Sequence, residues 1–184
     1  MADSARIRPA TATDPEALAA LWDAFMHEQA AHDDRLQVAD DAAERWQNDL
    51  PVWLDDGTVR IWVAEGDDGT PVGFARAHRT GPPPVYADCA EVYLDEVFVD
   101  AAHRRNGIAT ALVDAAASWA ASVGADRLRL STVAANAGAE AFWRHWGAAP
   151  LSTMWTAPVA GASDADAAEG DVNEGSAKIG FDWN

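Results

Sequence analysis

The stretch Val97–Val113, VFVDAAHRRNGIATALV, joins an alternating apolar segment to an alanine-rich segment through a polar turn. The residues before the turn alternate as in a β-strand, and those after Gly107 place apolar side chains at helical spacing. A helix N-terminus presents unpaired backbone N–H groups and the positive end of the helix dipole, so it can hold phosphate. Arg104 and Arg105 add positive charge there. The turn predicts a pyrophosphate site, with a solvated strand-to-helix turn as the alternative.

Two phosphate motifs and one zinc motif are excluded. No Gly-Lys-Ser/Thr follows the glycine, so the turn is not a P-loop, and the three-glycine spacing of a dinucleotide-binding turn is missing. His27 and His32 resemble the pair on a zinc-protease helix. Five residues turn a helix by about 500°, however, which leaves the two imidazoles about 140° apart. We expect no metal site.

The composition favours one domain of a cytoplasmic protein. The chain has 184 residues and a net charge of -17, with Lys178 as its one lysine beside 12 arginines. Such a surface repels nucleic acid and anionic membranes. No apolar run approaches a membrane span, no signal peptide is evident, and Cys89 alone cannot form an internal disulfide. The lysine-poor, aspartate-rich pattern resembles proteins of salt-in halophiles; an acidic bacterial protein from a GC-rich genome is the alternative.

The pattern along the chain predicts a mixed α/β fold in which helices cover a sheet. We predict a domain over residues 1–159 and an acidic flexible tail over 160–184, whose last residues, 178–184, form a weak strand or a docking segment. The predicted strands are 5–10, 58–65, 71–79, 91–100, 126–133 and 150–159. A first helix is predicted to begin at Asp14, and three more cover 41–50, 107–123 and 137–146.

Two segments resemble motifs of the GNAT superfamily of N-acetyltransferases. RRNGIA (104–109) matches the acyl-CoA signature Gln/Arg-x-x-Gly-x-Gly/Ala, after a strand and before a helix. NAGAEAFWRHWGA (136–148) is similar to the family's Asn-x-x-Ala-x-x-aromatic-Tyr-x-x-x-Gly-Phe helix. The predicted order of elements agrees with the family from about Arg6 to Val159. Two motifs at the correct separation are much more specific than either alone.

The resemblance implies a GNAT fold, with a mixed central sheet of about six to seven strands, helices on both faces, and a splay between strands 4 and 5. Acetyl-CoA would be the co-substrate, with its pantetheine arm in that wedge and no metal. The backbone of Val97 would hold the thioester carbonyl, and the N–H groups from Arg104 to Thr110 the pyrophosphate. The implied cofactor-binding residues are Val97, Phe98, Val99, Arg104, Arg105, Asn106, Gly107, Ile108, Ala109, Thr110, Asn136 and Ala139.

Two departures from the family affect the expected chemistry. Trp143 stands where the family has the tyrosine that protonates the departing thiolate, and an indole N–H does not release a proton near neutral pH. Core packing is therefore the alternative role for Trp143. Ala148 replaces the aromatic residue that usually follows Gly147, as in the polyamine and thialysine acetyltransferases, which the chain also resembles along 92–99.

Asp95 falls at the position of the family's proposed general base, with Glu96 and Glu91 as the next candidates and a solvated strand acid as the alternative. Strict alternation along the strand places two sets of side chains on opposite faces. One set is Tyr93, Asp95, Val97 and Val99, and the other is Leu94, Glu96 and Phe98.

The predicted function is transfer of an acetyl group from acetyl-CoA to a primary amine, in particular a small cationic amine. The alternatives are a protein N-terminal acetyltransferase and a non-catalytic sensor of acyl-CoA, which the tryptophan at 143 keeps open. The expected partners are a small-molecule acceptor and acetyl-CoA, without nucleic acid or membrane. The oligomeric state is open, with a homodimer as one candidate.

Overall fold

The computed structural model describes residues 5–82, 85–86 and 89–158. The strands are β1 (Arg6–Pro9), β2 (Val59–Glu65), β3 (Pro71–Thr80), β4 (Glu91–Val99) and β5 (Arg127–Leu130). The helices are α1 (Pro15–Ala30), α2 (Ala42–Asp55), α3 (Ile108–Ser122) and α4 (Ala137–Trp146), and a 3₁₀ turn covers Ala101–His103.

The strands form one mixed sheet in the order β1-β2-β3-β4-β5. The first four strands run antiparallel to their neighbours, and β5 lies parallel to β4. A parallel neighbour requires a crossover, and α3 supplies it between the two strands. The turn into α3 therefore begins where β4 ends, which places a helix N-terminus at that edge of the sheet.

Hydrophobic clusters cover both faces of the sheet. On one face, β2 and β3 pack with Phe98 against α1 and α2, around Leu18, Leu50 and Phe74. On the other face, α3 packs through Leu112 and its neighbours against apolar side chains of the strands, and aromatic side chains of α4 join this cluster. We call these the α1/α2 face and the α3 face. No helix in the described part of the chain is long and apolar enough to cross a membrane.

The expected sheet of six to seven strands is wrong over the described residues, which contain five strands. Residues 150–158 of the predicted last strand form none and are exposed, including Met154 and Trp155. Their apolar pattern suggested a strand, but a strand persists only when it is paired in a sheet. The rest of that prediction, the tail and the segment 178–184 lie outside the described residues. By its contacts the chain divides into Met1–Gly147 and Ala148–Asn184, so the boundary at 159/160 stays a prediction.

An ion pair holds the start of α1 against the first strand. Arg8 donates two hydrogen bonds to the carboxylate of Asp14, at 2.8 and 2.7 Å, and also contacts Glu65 on β2. The Arg8 guanidinium lowers the pKa of Asp14 to about 2. The carboxylate also accepts a hydrogen bond of 2.7 Å from the backbone N–H of Thr11. Asp14 therefore fixes the corner between β1 and α1 instead of capping the helix with its side chain.

Gly73 marks the closest approach of β3 to β4. It is paired with Val99, and a Cβ atom built on Gly73 would lie 2.7 Å from the carbonyl oxygen of Phe98. The obstacle is backbone in the middle of a sheet, so it cannot rotate away as a flexible side chain would. A side chain at 73 would push apart the two strands that carry the candidate site.

We expect Gly73→Ala to lower the free energy of unfolding by about 1–3 kcal/mol, the usual cost of overpacking. Gly57→Ala is the matched control, because a Cβ there meets nothing within 4 Å. It should leave stability unchanged or raise it slightly by restricting the unfolded chain. Urea unfolding of the two variants beside the parent measures the difference. Equal stability of both variants would contradict the close approach.

Candidate active site

The sheet opens between β4 and β5. Their pairing runs from Glu91 with Arg127 to Leu94 with Leu130 and then stops, although β4 continues to Val99. The predicted strand 126–133 was therefore too long at its end. Beyond the last pair lies a cleft between the diverging strands, α1 and α4. Its lining residues are Phe25, Gln29, Leu94, Asp95, Val97, Leu130, Ser131, Thr132, Ala139 and Trp143.

A bulge in β4 places Asp95 at this opening. On β3, Arg76 is paired with Glu96 and the next residue, Ala77, with Leu94, so the backbone of Asp95 is left without a pairing partner in the sheet. Leu94 and Val97 consequently both pack on the α3 face, although strict alternation would separate them. An extra residue in one strand shifts the facing of all residues after it. The predicted set of Asp95 with Val97 on one face is therefore wrong.

Both acids of the bulge contact Arg76 of β3. The Arg76 guanidinium donates to Glu96 at 2.6 and 2.9 Å, and one of its nitrogens lies 3.6 Å from the Asp95 carboxylate. Arg76 also covers the ring of Trp53 on α2 at 4.4 Å. Asp95 and Glu96 therefore both lie on the α1/α2 face, and the arginine screens their mutual repulsion.

Glu96 is buried and held by contacts from two elements. Its side chain is buried, and Trp22 of α1 donates a long hydrogen bond of 3.4 Å to it. Burial raises the pKa of Glu96, against the opposing charge of Arg76. Glu91, the other alternative base, is buried at the start of β4 and contacts Arg127 and Arg129. Neither lines the cleft, so Asp95 is the candidate acid that does.

Asp95 has a second partner that the sequence did not suggest. His78 of β3 places its Nδ1 2.8 Å from Oδ2 of Asp95. The β3–β4 register brings them together, and that register cannot be read across a long loop and a bulge. Alternation of Phe74, Arg76 and His78 along β3 is a signal that they share a face, but it does not identify what lies opposite.

The turn into α3 is held in a conformation that exposes its backbone N–H groups. Arg105 and Gly107 have φ angles of 68° and 81°, in the left-handed region, where a residue with a side chain is uncommon. Ala111 makes the first helical hydrogen bond, to Gly107 at 3.0 Å. In the described residues no acceptor is seen for the N–H groups of 105–110. Such a run of donors can hold an anion.

Arg104 and Arg105 differ in their surroundings. Arg104 donates to the carbonyl of Val99 at 2.8 Å and to Glu28 of α1 at 2.5 Å, and it lies over the ring of Phe98. Arg105 is exposed, and no ion pair is seen for it in the described part of the chain. Arg104 therefore ties the turn to α1, and Arg105 is the arginine available to an incoming anion.

The second predicted motif begins at the N-terminus of α4. Asn136 caps the helix, because its side-chain oxygen accepts a hydrogen bond of 2.9 Å from the N–H of Ala139. Ala139 and Trp143 follow on the side of α4 that lines the cleft. Trp143 packs edge-on against Phe142 and Trp146, with ring centroids 4.9 and 6.2 Å away. It thus packs within the α3-face cluster and also borders the site.

The structure brings Asp95, Val97, Ala139 and Trp143 together around one cleft. Glu96 and Phe98 lie on the α1/α2 face and do not line the cleft, and the side-chain oxygen of Asn136 serves as a helix cap. Their assignment to catalysis or cofactor binding stays a prediction. The side chains of Phe25 and Gln29 on α1 are additional lining residues that periodicity alone did not distinguish. Among the described residues, no group of histidine, cysteine or acidic side chains is arranged to hold a metal ion.

The fold and both motifs agree with the comparison to protein families. The sequence model of the acetyltransferase (GNAT) family matches residues 17–148. The chain therefore belongs to the GNAT family of acetyltransferases. No curated protein has significant sequence similarity to it.

Solved structures share this fold at low sequence identity. A mutant of the Bacillus halodurans protein BH1408 superposes with a TM-score of 0.74 at 19% identity, over 84% of this chain and 99% of that one. The aminoglycoside N-acetyltransferase AAC(6')-Iy, solved with CoA, has a TM-score of 0.69 at 19% identity, over 87% and 97%. AAC(6')-IG from Acinetobacter haemolyticus has a TM-score of 0.67 at 17% identity, over 84% and 97%.

Arg105→Glu should weaken acetyl-CoA binding by about tenfold at low ionic strength, because a cation beside the pyrophosphate becomes an anion. The backbone strain should be unchanged, since neither residue is glycine. The loss should shrink as salt screens the charge. Isothermal titration calorimetry at two salt concentrations measures both effects.

Arg60→Glu on β2 is the matched control, because Arg60 is also exposed but lies away from the turn. Equal weakening by the two reversals would show that net charge alone matters, and no weakening by either would exclude a phosphate site at this turn.

Proposed function

We propose that this GNAT acetyltransferase moves the acetyl group of acetyl-CoA to a primary amine on a small cationic molecule. The observation that carries the proposal is the position of Asp95 at the opening between β4 and β5. Asp95 lies on β4, the strand that leads into the turn before α3. A carboxylate there is close to both the expected thioester and the entry for an amine. Most amines are protonated at neutral pH and need a proton acceptor before they attack.

In the proposed complex the cofactor extends from the turn before α3 along the edge of β4 into the cleft. The N–H groups of 105–110 hold the pyrophosphate, with Arg105 as an additional cation. The pantetheine arm lies along the edge of β4 beyond Leu94, where β5 no longer occupies it. The backbone N–H of Val97 donates to the thioester carbonyl and stabilises the oxyanion that forms there.

The chemistry is direct attack of the amine. Asp95 accepts the proton of the substrate ammonium, directly or through water, and the free amine attacks the thioester carbon. The C–N bond forms, the C–S bond breaks, and CoA leaves as a thiolate. The nitrogen loses a second proton to become an amide, and the thiolate takes up that proton through water. Trp143 lies beside the expected thiolate, and its indole can donate a hydrogen bond but no proton.

Two observations support a cationic acceptor. The net charge of -17 gives a field that attracts cations. The fold is shared with aminoglycoside N-acetyltransferases, one of which was solved with a bisubstrate analogue of CoA and acetylated neamine. His78 and Arg76 partly compensate the charge of Asp95. The attraction of a cationic acceptor therefore comes more from the field of the whole protein than from acids in the cleft.

The direct test is release of CoA thiol from acetyl-CoA with a panel of amines. The panel contains a polyamine, an aminoglycoside, lysine and a peptide with a free N-terminus. We expect turnover with one or more of the small cations. Turnover with the peptide alone would favour protein N-terminal acetylation. Binding of acetyl-CoA without release above background would favour a sensor, for which Trp143 is the supporting feature.

Asp95→Asn keeps the shape of the side chain and removes the proton acceptor. We expect kcat/KM for the amine to fall by at least about 10²-fold at pH 7, in the usual range for a general base. Raising the pH should recover much of the loss, because more of the amine is then free. Affinity for acetyl-CoA, measured by calorimetry, should barely change.

Glu96→Gln provides the contrast to Asp95→Asn. It leaves the charge of Arg76 without its main buried partner, so we expect lower thermal stability and a smaller loss of kcat/KM. If Glu96→Gln abolished turnover while Asp95→Asn did not, Glu96 would be the proton acceptor and the proposed role of Asp95 would be wrong.

Trp143→Tyr tests the missing acid. A phenol can protonate a thiolate, so we expect kcat to rise, by up to about 10²-fold if thiolate departure limits the rate. Trp143→Phe is the control, because it replaces the indole with the same six-membered ring but adds no hydroxyl group. Stopped-flow detection of thiol release measures both variants. Equal decreases in folded variants would show that Trp143 acts only by packing.

A further inference from the structure

His78 lies between Asp95, the bulged residue of β4, and the protein surface. Its Nδ1 lies 2.8 Å from Oδ2 of Asp95, and its side chain is 32% exposed, compared with 15% for Asp95. The imidazole also rests on the ring of Tyr93, with centroids 5.7 Å apart and planes at 36°. Two contacts from β4 therefore fix the orientation of this histidine.

The hydrogen bond between them has a defined direction when Asp95 is ionised. A carboxylate only accepts, so Nδ1 of His78 must carry the hydrogen. The ring then binds or releases its second proton at Nε2, while the bond to Asp95 persists in both charge states. His78 can therefore change its charge without releasing Asp95.

We propose that His78 is a positioning residue for Asp95, and that its charge controls how readily Asp95 accepts the amine proton. This inference rests on the proposed function. With His78 neutral, the Nδ1–H group holds Oδ2 of Asp95, and Oδ1, which lies 3.6 Å from a nitrogen of Arg76, is the oxygen that receives the substrate proton. With His78 protonated, a full positive charge stabilises the Asp95 carboxylate and makes it a weaker proton acceptor.

The proton balance of this step involves no hydrogen of His78. One N–H bond of the substrate ammonium breaks, and one O–H bond forms on Asp95. After the amine has attacked, Asp95 returns that proton to water. Nδ1–H of His78 remains bonded to the other carboxylate oxygen throughout, so the imidazole acts through Asp95 and does not touch the substrate.

The other charged and titratable groups around the pair are less suited to vary near neutral pH. Arg76, on β3 like His78, is permanently charged and contacts Glu96 as well as Asp95. The ring of Tyr93 on β4 lies 5.4 Å from the Arg129 guanidinium of β5, and its hydroxyl bonds to Ser131. From α2, Asp49 acts electrostatically on Arg76. Histidine is the side-chain type whose ordinary pKa lies nearest neutrality.

The first test needs no acceptor and no turnover. Long-range ¹H–¹⁵N correlation spectra of the acetyl-CoA-free protein identify which ring nitrogen of a histidine carries the hydrogen. The His78 signal is assigned by its loss in His78→Asn. We expect the Nδ1–H tautomer in the parent above neutral pH and a shift towards Nε2–H in Asp95→Asn. The Nε2–H tautomer in the parent, or no response to Asp95→Asn, would overturn the proposal.

The second test separates positioning from packing. His78→Phe keeps a ring against Tyr93 but removes the donor, and we expect kcat/KM for the amine to fall by at least about tenfold, as for a misplaced catalytic group. The acetyl-CoA dissociation constant should be unchanged. His78→Asn retains an N–H donor near the position of Nδ1, so it should keep most of kcat/KM at pH 8. Thermal melting confirms that each variant is folded.

The pH dependence then tests the charge effect. The amine's own protonation affects parent and variant equally, so the ratio of their kcat/KM values at each pH removes it. We expect the ratio for His78→Asn to the parent to rise as the pH falls from 8 to 6, because asparagine acquires no charge. A flat ratio, or a fully active His78→Phe, would overturn the proposal. Absence of turnover in the parent itself would instead contradict the proposed function and leave the tautomer test to decide the pairing.

Discussion

The backbone of Asp95 is not paired with any residue of β3, and the geometry of the candidate site depends on this bulge. Because the ladder continues from Glu96 to Leu94 without it, Glu96 turns towards α1 and α2 while Val97 turns towards α3. A bulge also bends the strand that contains it. The pairing of β4 with β5 ends one residue before the bulge. The edge of β4 is therefore open beyond Leu94, with the Asp95 carboxylate at the beginning of that edge.

Arg76 makes the bulge compatible with a stable core. Two adjacent carboxylates on one face would repel each other, and one of them, Glu96, is buried. The Arg76 guanidinium lies over the ring of Trp53 and contacts both carboxylates. It compensates the charge of the buried Glu96 at close range and contacts the more exposed Asp95 at a longer distance. Glu96 is thereby held in the core by Arg76 and Trp22. Asp95 is held less closely by Arg76, contacts His78, and lines the cleft.

An acidic protein must bind an anionic cofactor against its own field. Nine of its 12 arginines form ion pairs with carboxylates. Of the three without such a pair in the described residues, Arg105 lies in the turn before α3. Backbone N–H groups suit this problem, because hydrogen bonds act at short range. The repulsion from distant carboxylates acts at long range and is largely screened at high salt. A run of backbone N–H groups is therefore compatible with an acidic surface as a site for an anion.

The sequence by itself determined the class of fold, most elements and the turn before α3. These follow from local information: period 2 or 3.6 in the apolar residues, and a glycine where φ must be positive. It did not determine the facing of Glu96, the contact of His78 with Asp95, or the use of Arg104 as a tie to Glu28. Those depend on the β3–β4 register and on helix packing, which join residues far apart in the chain. The missing strand at 150–158 has the same origin, since an apolar segment becomes a strand only when the tertiary structure supplies a pairing partner.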